Sequence, residues 1–280
     1  MTPSYLPKFP AFAGMTSIFL AMLTLAPAHA QHSNDELAKA AQNPIADMIS
    51  LPFQNNTNYN VGPRNQTQNI LNIQPVVPFS VNRDWNVITR TIVPVISQPD
   101  FGIPGNDREN GIGDIQLSAF FSPKQPSSSG WIWGAGPVVQ LKTATDDVLG
   151  QGKWGLGPTV VALNIRKGSP WVYGALINNI WSVAGDDDRR TVNQMLIQPF
   201  VNYNFPKSPG TYLSFSPIMT ADWKADGEKW TVPMGMGIGQ ILKVGNQPIN
   251  VSAHGYYNVI KPDEAGDWTL RLQLQLLFPK

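Results

Sequence analysis

Ser252 and His254 stand two positions apart, with Asn258 four further on. In an extended chain that spacing puts the first two side chains on one face, about 6.5 to 7 Å apart along the strand, where a hydroxyl could bond an imidazole. This is the beginning of a nucleophile and base pair. Asp186, Asp187 and Asp188, followed by Arg189 and Arg190, form a second group. Contiguous carboxylates could hold Ca²⁺ or Mg²⁺, but no turn glycine spaces them as in a calcium loop, so a solvated loop tip is the simpler reading. A third set is cationic: Arg90, Lys142 and Arg271 lie within segments of strand character. Gly235-Met236-Gly237-Ile238-Gly239 lacks the G-x-G-x-x-G spacing of a dinucleotide turn. With no cysteine, thiolate chemistry and disulfide stapling are both excluded.

The elements that carry these residues are strands. From Asp47 onward no run holds a 3.6-residue period, and about twelve alternating segments are separated by turn residues. They fall near 47–58, 67–79, 85–97, 113–122, 131–144, 154–165, 171–183, 192–205, 211–223, 229–242, 247–259 and 268–278. In the last, Trp268, Leu270, Leu272, Leu274, Leu276 and Phe278 share one face, and Thr269, Arg271, Gln273 and Gln275 the other. Segment 247–259 sets Ile249, Val251, Ala253, Tyr257 and Val259 against Asn250, Ser252, His254, Tyr256 and Asn258. In segment 229–242 the phase opposite Trp230, Val232, Met234, Met236 and Ile238 carries glycines, which are expected to leave room on that side.

Ahead of the strands, residues 1–30 read as an export signal, with Lys8, an apolar run from Met15 to Leu25, and Ala28-His29-Ala30 as the cleavage site. Residues 31–46 form a short segment, periplasmic or lumenal, in which Asp35 to Ala41 predicts one or two helical turns stopped by Pro44. Residues 47–280 make the third part. A net charge of +1 with a charged fraction of 14% gives no basic patch for nucleic acid.

Alternation alone fits a soluble sandwich or a barrel, and the nine tryptophans separate the two. All lie at segment ends: Trp85, Trp131, Trp133 and Trp171 by one set of turns, Trp154, Trp181, Trp223, Trp230 and Trp268 by the other. Indoles collect at both membrane interfaces of a barrel. Trp171 and Trp181 share a face ten positions apart; at about 3.3 Å per residue and about 40° of tilt they span about 25 Å, the height of an apolar band. The turns also sort by sign. One set holds Arg83, Lys124, Arg166, Lys167, Lys207 and Lys243 with the single acid Asp84, while fifteen acids from Asp100 to Asp267 gather in the other. The predicted fold is all-β, a transmembrane antiparallel up-and-down barrel of about twelve strands with a short N-terminal helical segment. Pro75, Pro94, Pro137, Pro158, Pro199, Pro217 and Pro233 fall inside strands, where bulges are expected.

Several stretches resemble the bacterial outer-membrane family named for the meta-pathway of phenol degradation, whose members are regarded as transporters. Its carriers here are Gln42-Asn43-Pro44, Leu51 to Asn56, Leu71 to Val76, Thr143 to Asp147, Gly152 to Pro158, Asn178 to Asp187, Gln198 to Asn204 and Leu277 to Lys280. The resemblance implies an outer-membrane barrel of a Gram-negative bacterium that passes small, aromatic or hydrophobic, solutes, and it supplies no catalytic residues. By strand phase Lys142 joins Gln140, and Arg271 joins Gln273, facing the lumen, since a cation aimed at mid-bilayer lipid costs about 2 to 4 kcal/mol. Arg90 is ambiguous because Ile88 and Ile92 share its phase. With His254, these residues make a candidate solute-binding lining and a weakly anion-selective constriction; alternatively, the cations pair with inward-folded loop carboxylates. A lipid-modifying enzyme would have to meet its substrate from the lipid side, whereas Ser252 and His254 lie on the polar face. No cofactor and no metal is expected. Partners are outer-membrane lipids and lipopolysaccharide, the barrel-assembly machinery that reads a terminal aromatic such as Phe278, and a small solute. A closed structural or adhesive barrel, its lumen filled by side chains or by residues 31–46, remains the alternative.

Overall fold

A computed structural model describes residues 33–100 and 108–280; the predicted export signal and Asp107 lie outside the described residues. A helix, α1 (Asn34–Ala41), precedes twelve staves: β1 (Ile49–Val61), β2 (Gln66–Ile73, resumed at Val76–Ser80), β3 (Trp85–Gln98) and β4 (Glu109–Ile112, resumed at Gln116–Pro123). Then come β5 (Trp131–Gln140), β6 (Lys153–Ile165), β7 (Trp171–Gly185), β8 (Asn193–Asn204), β9 (Thr211–Phe215, resumed at Met219–Asp222), β10 (Trp230–Val244), β11 (Gln247–Ile260) and β12 (Trp268–Phe278). Each stave pairs antiparallel with the next, and β12 returns to β1 in register from Ile49↔Phe278 to Tyr59↔Trp268. The sheet is a closed twelve-stranded barrel, which leaves no edge to satisfy.

Closure divides each strand's two phases into an outside and an inside. Outside, Leu270, Leu272 and Leu274 of β12, Met234, Met236 and Ile238 of β10 and Leu156 and Val160 of β6 are exposed, as lipid-facing positions must be. Aromatic pairs ring both ends. Trp85 with Trp133, Trp131 with Tyr173 and Trp171 with Tyr203 mark the short-turn end, and Trp223 with Trp230 and Tyr257 with Trp268 the long-loop end. By strand parity Asn55, Thr57 and Asn69 also face outward, and they bond one another, so few polar atoms are offered to lipid.

The inside is not polar throughout, a departure from the expected pattern. Val76, Ile88, Phe120, Val161, Leu163 and Phe200 point inward and pack around Ile45, which lies between α1 and β1. Alternation fixes which residues share a face. It does not require that the inner face be wet, and here the N-terminal segment covers one sector of it.

The strand prolines behave in two ways. Pro75 and Pro217 stand where β2 and β9 break, and a register shift falls between Val232 and Pro233. Pro94, Pro137, Pro158 and Pro199 remain in the ladder, with Pro137 directly opposite Pro158. The motif Trp-Gly-x-Gly-Pro occurs at Trp133 to Pro137 and again at Trp154 to Pro158, and its two copies meet at that pairing. A Cβ at Gly136 would lie 1.9 Å from the Ala119 carbonyl oxygen, and one at Gly157 1.6 Å from that of Asn179, so only glycine permits these approaches.

Candidate functional site

The lumen is occupied at its short-turn end. Ser33 caps α1: its hydroxyl accepts from the Glu36 amide at 3.2 Å while the Ser33 amide donates to the Glu36 carboxylate at 3.0 Å. The helix buries Leu37 and Ala38 against Tyr212, Ile241 and Leu277. Polar ties reach other parts of the ring. Lys39 Nζ donates to the Ser169 carbonyl at 2.7 Å, Gln42 and Asn204 exchange side-chain bonds, and the Gly210 amide donates to Asp35 at 2.9 Å. Strands about 4.8 Å apart and tilted about 40° give twelve staves a backbone radius of about 12 Å. Once inward side chains are added, about 12 Å of width remains, and a helix with its side chains is about 10–12 Å across. One helix is therefore wide enough to occupy most of the cross-section of this lumen at its own level.

Between the N-terminal segment and the wall lies a cavity of about 150 Å³, lined by Ala40 to Pro44, Ala46 and Met48 on one side and by inward residues of the barrel on the other. Arg90, Gln273 and His254 all line it, so three of the six sequence-predicted lining residues meet there. The phase of Arg90 is thereby settled as inward. Its guanidinium donates to Gln74 Oε1 at 2.5 Å, and Gln74 sits at the break before Pro75.

The other three lie elsewhere. Gln140 is buried at the end of β5 toward the long loops, accepting from Gln116. Lys142 lies outside any strand, since β5 ends at Gln140 and one further bond, from the Leu141 amide to the Ile115 carbonyl, extends its pairing with β4. Its side chain is 37% exposed and ion-paired to Asp186, which corrects its assignment to the lumen. Arg271 faces inward but one layer beyond the cavity. It donates to Asn56 Oδ1 at 2.9 Å and to the Ser216 carbonyl at 3.1 Å, and it covers the Tyr256 ring at 4.8 Å. Tyr256 stacks in turn on His254. The break at Pro217 explains this placement: it frees the Ser216 carbonyl, which Arg271 and Tyr256 both satisfy.

Neither inward arginine is ion-paired among the described residues, so the alternative of inward-folded carboxylates does not describe Arg90 or Arg271. The loop acids pair with cations of their own end instead. Arg64 meets Asp100 at 2.7 Å, Lys261 meets Asp267 at 3.1 Å, and Arg190 pairs with Asp222. The Lys142 ammonium, bonded to Asp186, holds that exposed carboxyl below the usual carboxylate range. Asp186 is thus engaged by a cation, and among the described residues no group of acids or histidines is arranged to hold a metal.

Ser252, His254 and Asn258 do not assemble as a bonded set. Both ring nitrogens of His254 are buried without a hydrogen-bond partner, and Asn258 Nδ2 donates to the Gly266 carbonyl in the outer turn. The glycines of β10 serve these rings rather than open space: a Cβ at Gly237 would lie 2.3 Å from the His254 imidazole, and one at Gly239 2.2 Å from the Tyr212 ring. Sequence reasoning missed Gln54, Gln74, Gln198, Tyr212 and Asn250 as lining residues. A signal for two of them was present, since Ile73-Gln74-Pro75 recurs as Ile197-Gln198-Pro199 and both glutamines reach the cavity.

Fold and lumen define an outer-membrane type of β-barrel whose interior holds the N-terminal segment and a small mixed cavity beside it. No protein-family model and no curated protein matches the sequence. Among solved structures, the chain is similar to an outer membrane channel from Pseudomonas putida F1, with a TM-score of 0.63 and 14% identity over 82% of this chain and 95% of that one. It also overlaps the β domain of the Bordetella autotransporter BrkA (TM-score 0.48, 9% identity, 84% and 100% of the two chains). A bacterial polysaccharide outer membrane secretin gives a TM-score of 0.38 and 10% identity over 84% and 99%.

Proposed function

We propose that this protein is a channel of the Gram-negative outer membrane that passes a small, aromatic or hydrophobic, solute, with α1 closing the lumen at rest. The observation that carries the reading is the cavity itself: a wall rich in glutamine, asparagine and serine with one arginine, facing residues 40–48 of the N-terminal segment inside the barrel. Two aromatic girdles and an apolar exterior support residence in the outer membrane, with the short basic turns in the periplasm and the ion-paired loops outside, near lipopolysaccharide. The likeness to a channel fold supports the same reading, as does the sequence resemblance to the phenol meta-pathway family. Phe278, the last residue of β12, is the aromatic offered to the assembly machinery.

The tight fit of α1 also favours a second reading, a permanently closed barrel with a structural or adhesive role. Planar-bilayer recordings on the protein with residues 33–44 deleted distinguish the two. A channel gives small or rare conductance steps when intact and large steady steps after the deletion. A deletion protein that inserts, shifts with heat on a gel, and conducts no ions supports the closed barrel and ends the channel reading.

A further inference from the structure

The cavity carries a chemical preference that its position alone does not imply. Arg90 reaches it with five N–H donors, and among the described residues its guanidinium bonds only Gln74. Among the described residues no Asp or Glu lines the cavity. A guanidinium withdrawn from bulk water without a counter-charge is costly, and its best partner is a planar anion that takes two N–H bonds at once. On the same cavity His254 is only 6% exposed, with both ring nitrogens unpartnered. An imidazole buried in this way is unusual unless a ligand or water completes it. Met48, Val76 and Phe200 supply an apolar wall beside these groups. Arg271, by contrast, has donors committed to Asn56 and Ser216 and lies off the cavity.

We infer that the cavity is a binding site for a small organic carboxylate with an apolar body, its anionic group held by Arg90, with His254 offering a second polar contact elsewhere on the same cavity. A cavity of about 150 Å³ suits one compact solute, since a void of about that size holds a benzene-sized molecule. This rests on the reading of the lumen as a solute pathway and adds the charge of the solute.

The test uses the full chain in detergent micelles, with calorimetric titration of benzoate, benzyl alcohol, benzylamine and inorganic phosphate, each corrected against protein-free micelles. Benzoate is expected to bind at least about tenfold more tightly than benzyl alcohol, and benzylamine not measurably, since one hydrogen bond to a charged group is worth about that factor. Arg90→Gln should remove the preference for benzoate and leave benzyl alcohol unchanged, and His254→Leu should weaken benzoate to a smaller extent. Phosphate binding as tightly as benzoate would overturn the organic carboxylate in favour of a bare anion site. Equal affinity for benzoate and benzyl alcohol in the unaltered protein overturns the inference, whether or not Arg90→Gln folds. Conductance of the protein lacking residues 33–44 is read separately, so loss of this site and loss of the channel reading are distinguishable.

Discussion

Leu37→Ala gives the most direct measure of how α1 closes the lumen. Leu37 is 3% exposed and packs on Tyr212, Ile241 and Leu277. Alanine keeps the helix propensity and removes about three methylene equivalents of buried surface, about 2 to 2.5 kcal/mol at about 0.8 kcal/mol each. No barrel ladder pairs through α1, so this loss falls on docking of the helix and not on closure of the sheet. If opening means undocking, the open-to-closed ratio rises about 30- to 70-fold, since about 1.4 kcal/mol is tenfold. Gln42→Ala, which breaks the exchange with Asn204, should act in the same direction by about 1 kcal/mol. The assay is the fraction of time in the high-conductance state in single-channel recordings at fixed voltage, with heat-modifiable gel mobility as the folding control. An unchanged open fraction in both variants, with folding intact, would show that the helix does not gate the lumen.

Four further outcomes are expected. Leu272→Arg, lipid-facing near mid-strand, should lose about 2 to 4 kcal/mol of stability and Gln273→Arg, one residue on and inward, much less; equal losses in denaturant titrations of vesicle-inserted protein would reverse the facing of β12. Arg271→Gln should lower thermal stability and leave ion selectivity unchanged, because its donors serve Asn56 and Ser216; a shifted reversal potential under a salt gradient would contradict this. Gly239→Ala should displace the Tyr212 ring, break its bond to Asn250 and cost about 1 to 3 kcal/mol, read as a lowered unfolding midpoint; no change would mean the ring yields freely. The Asp186 carboxyl is held below its ordinary value chiefly by its bond to Lys142, so the stabilisation is present above the ordinary aspartate range and lost as pH falls through the lower folded value. Lys142→Ala should therefore flatten the acid limb of a stability profile below about pH 4, and an unaltered profile would mean the pair contributes nothing.

Much of the barrel was legible in the chain because its signals are local. A period of two in Trp268 to Phe278 states which residues share a face, and nine tryptophans at segment ends mark where the strands cross two interfaces. Acids in alternate turns fixed the parity of the strand count, although cations such as Arg64 and Arg190 at the same end, paired in space, made the sorting of total charge less complete than the acids alone suggested. The short helix was also readable, as Asp35 to Ala41, from its alanines and the proline that follows, although its Ser33 cap was not.

The content of the lumen could be read only from the folded barrel. Phase cannot say whether an inward face meets water or a helix, so the apolar cluster around Ile45 left no sign beyond the ambiguity of Arg90 beside Ile88. Nor could strand pattern place Lys142, since the end of β5 depends on where its partner β4 stops pairing. Tryptophan placement and the sorting of acids among the turns were enough to predict a membrane barrel, because both are read from residue type and spacing. Closure of the ring then brought Arg90, Gln273 and His254, from β3, β12 and β11, to one cavity, because only a circle makes distant strands face each other.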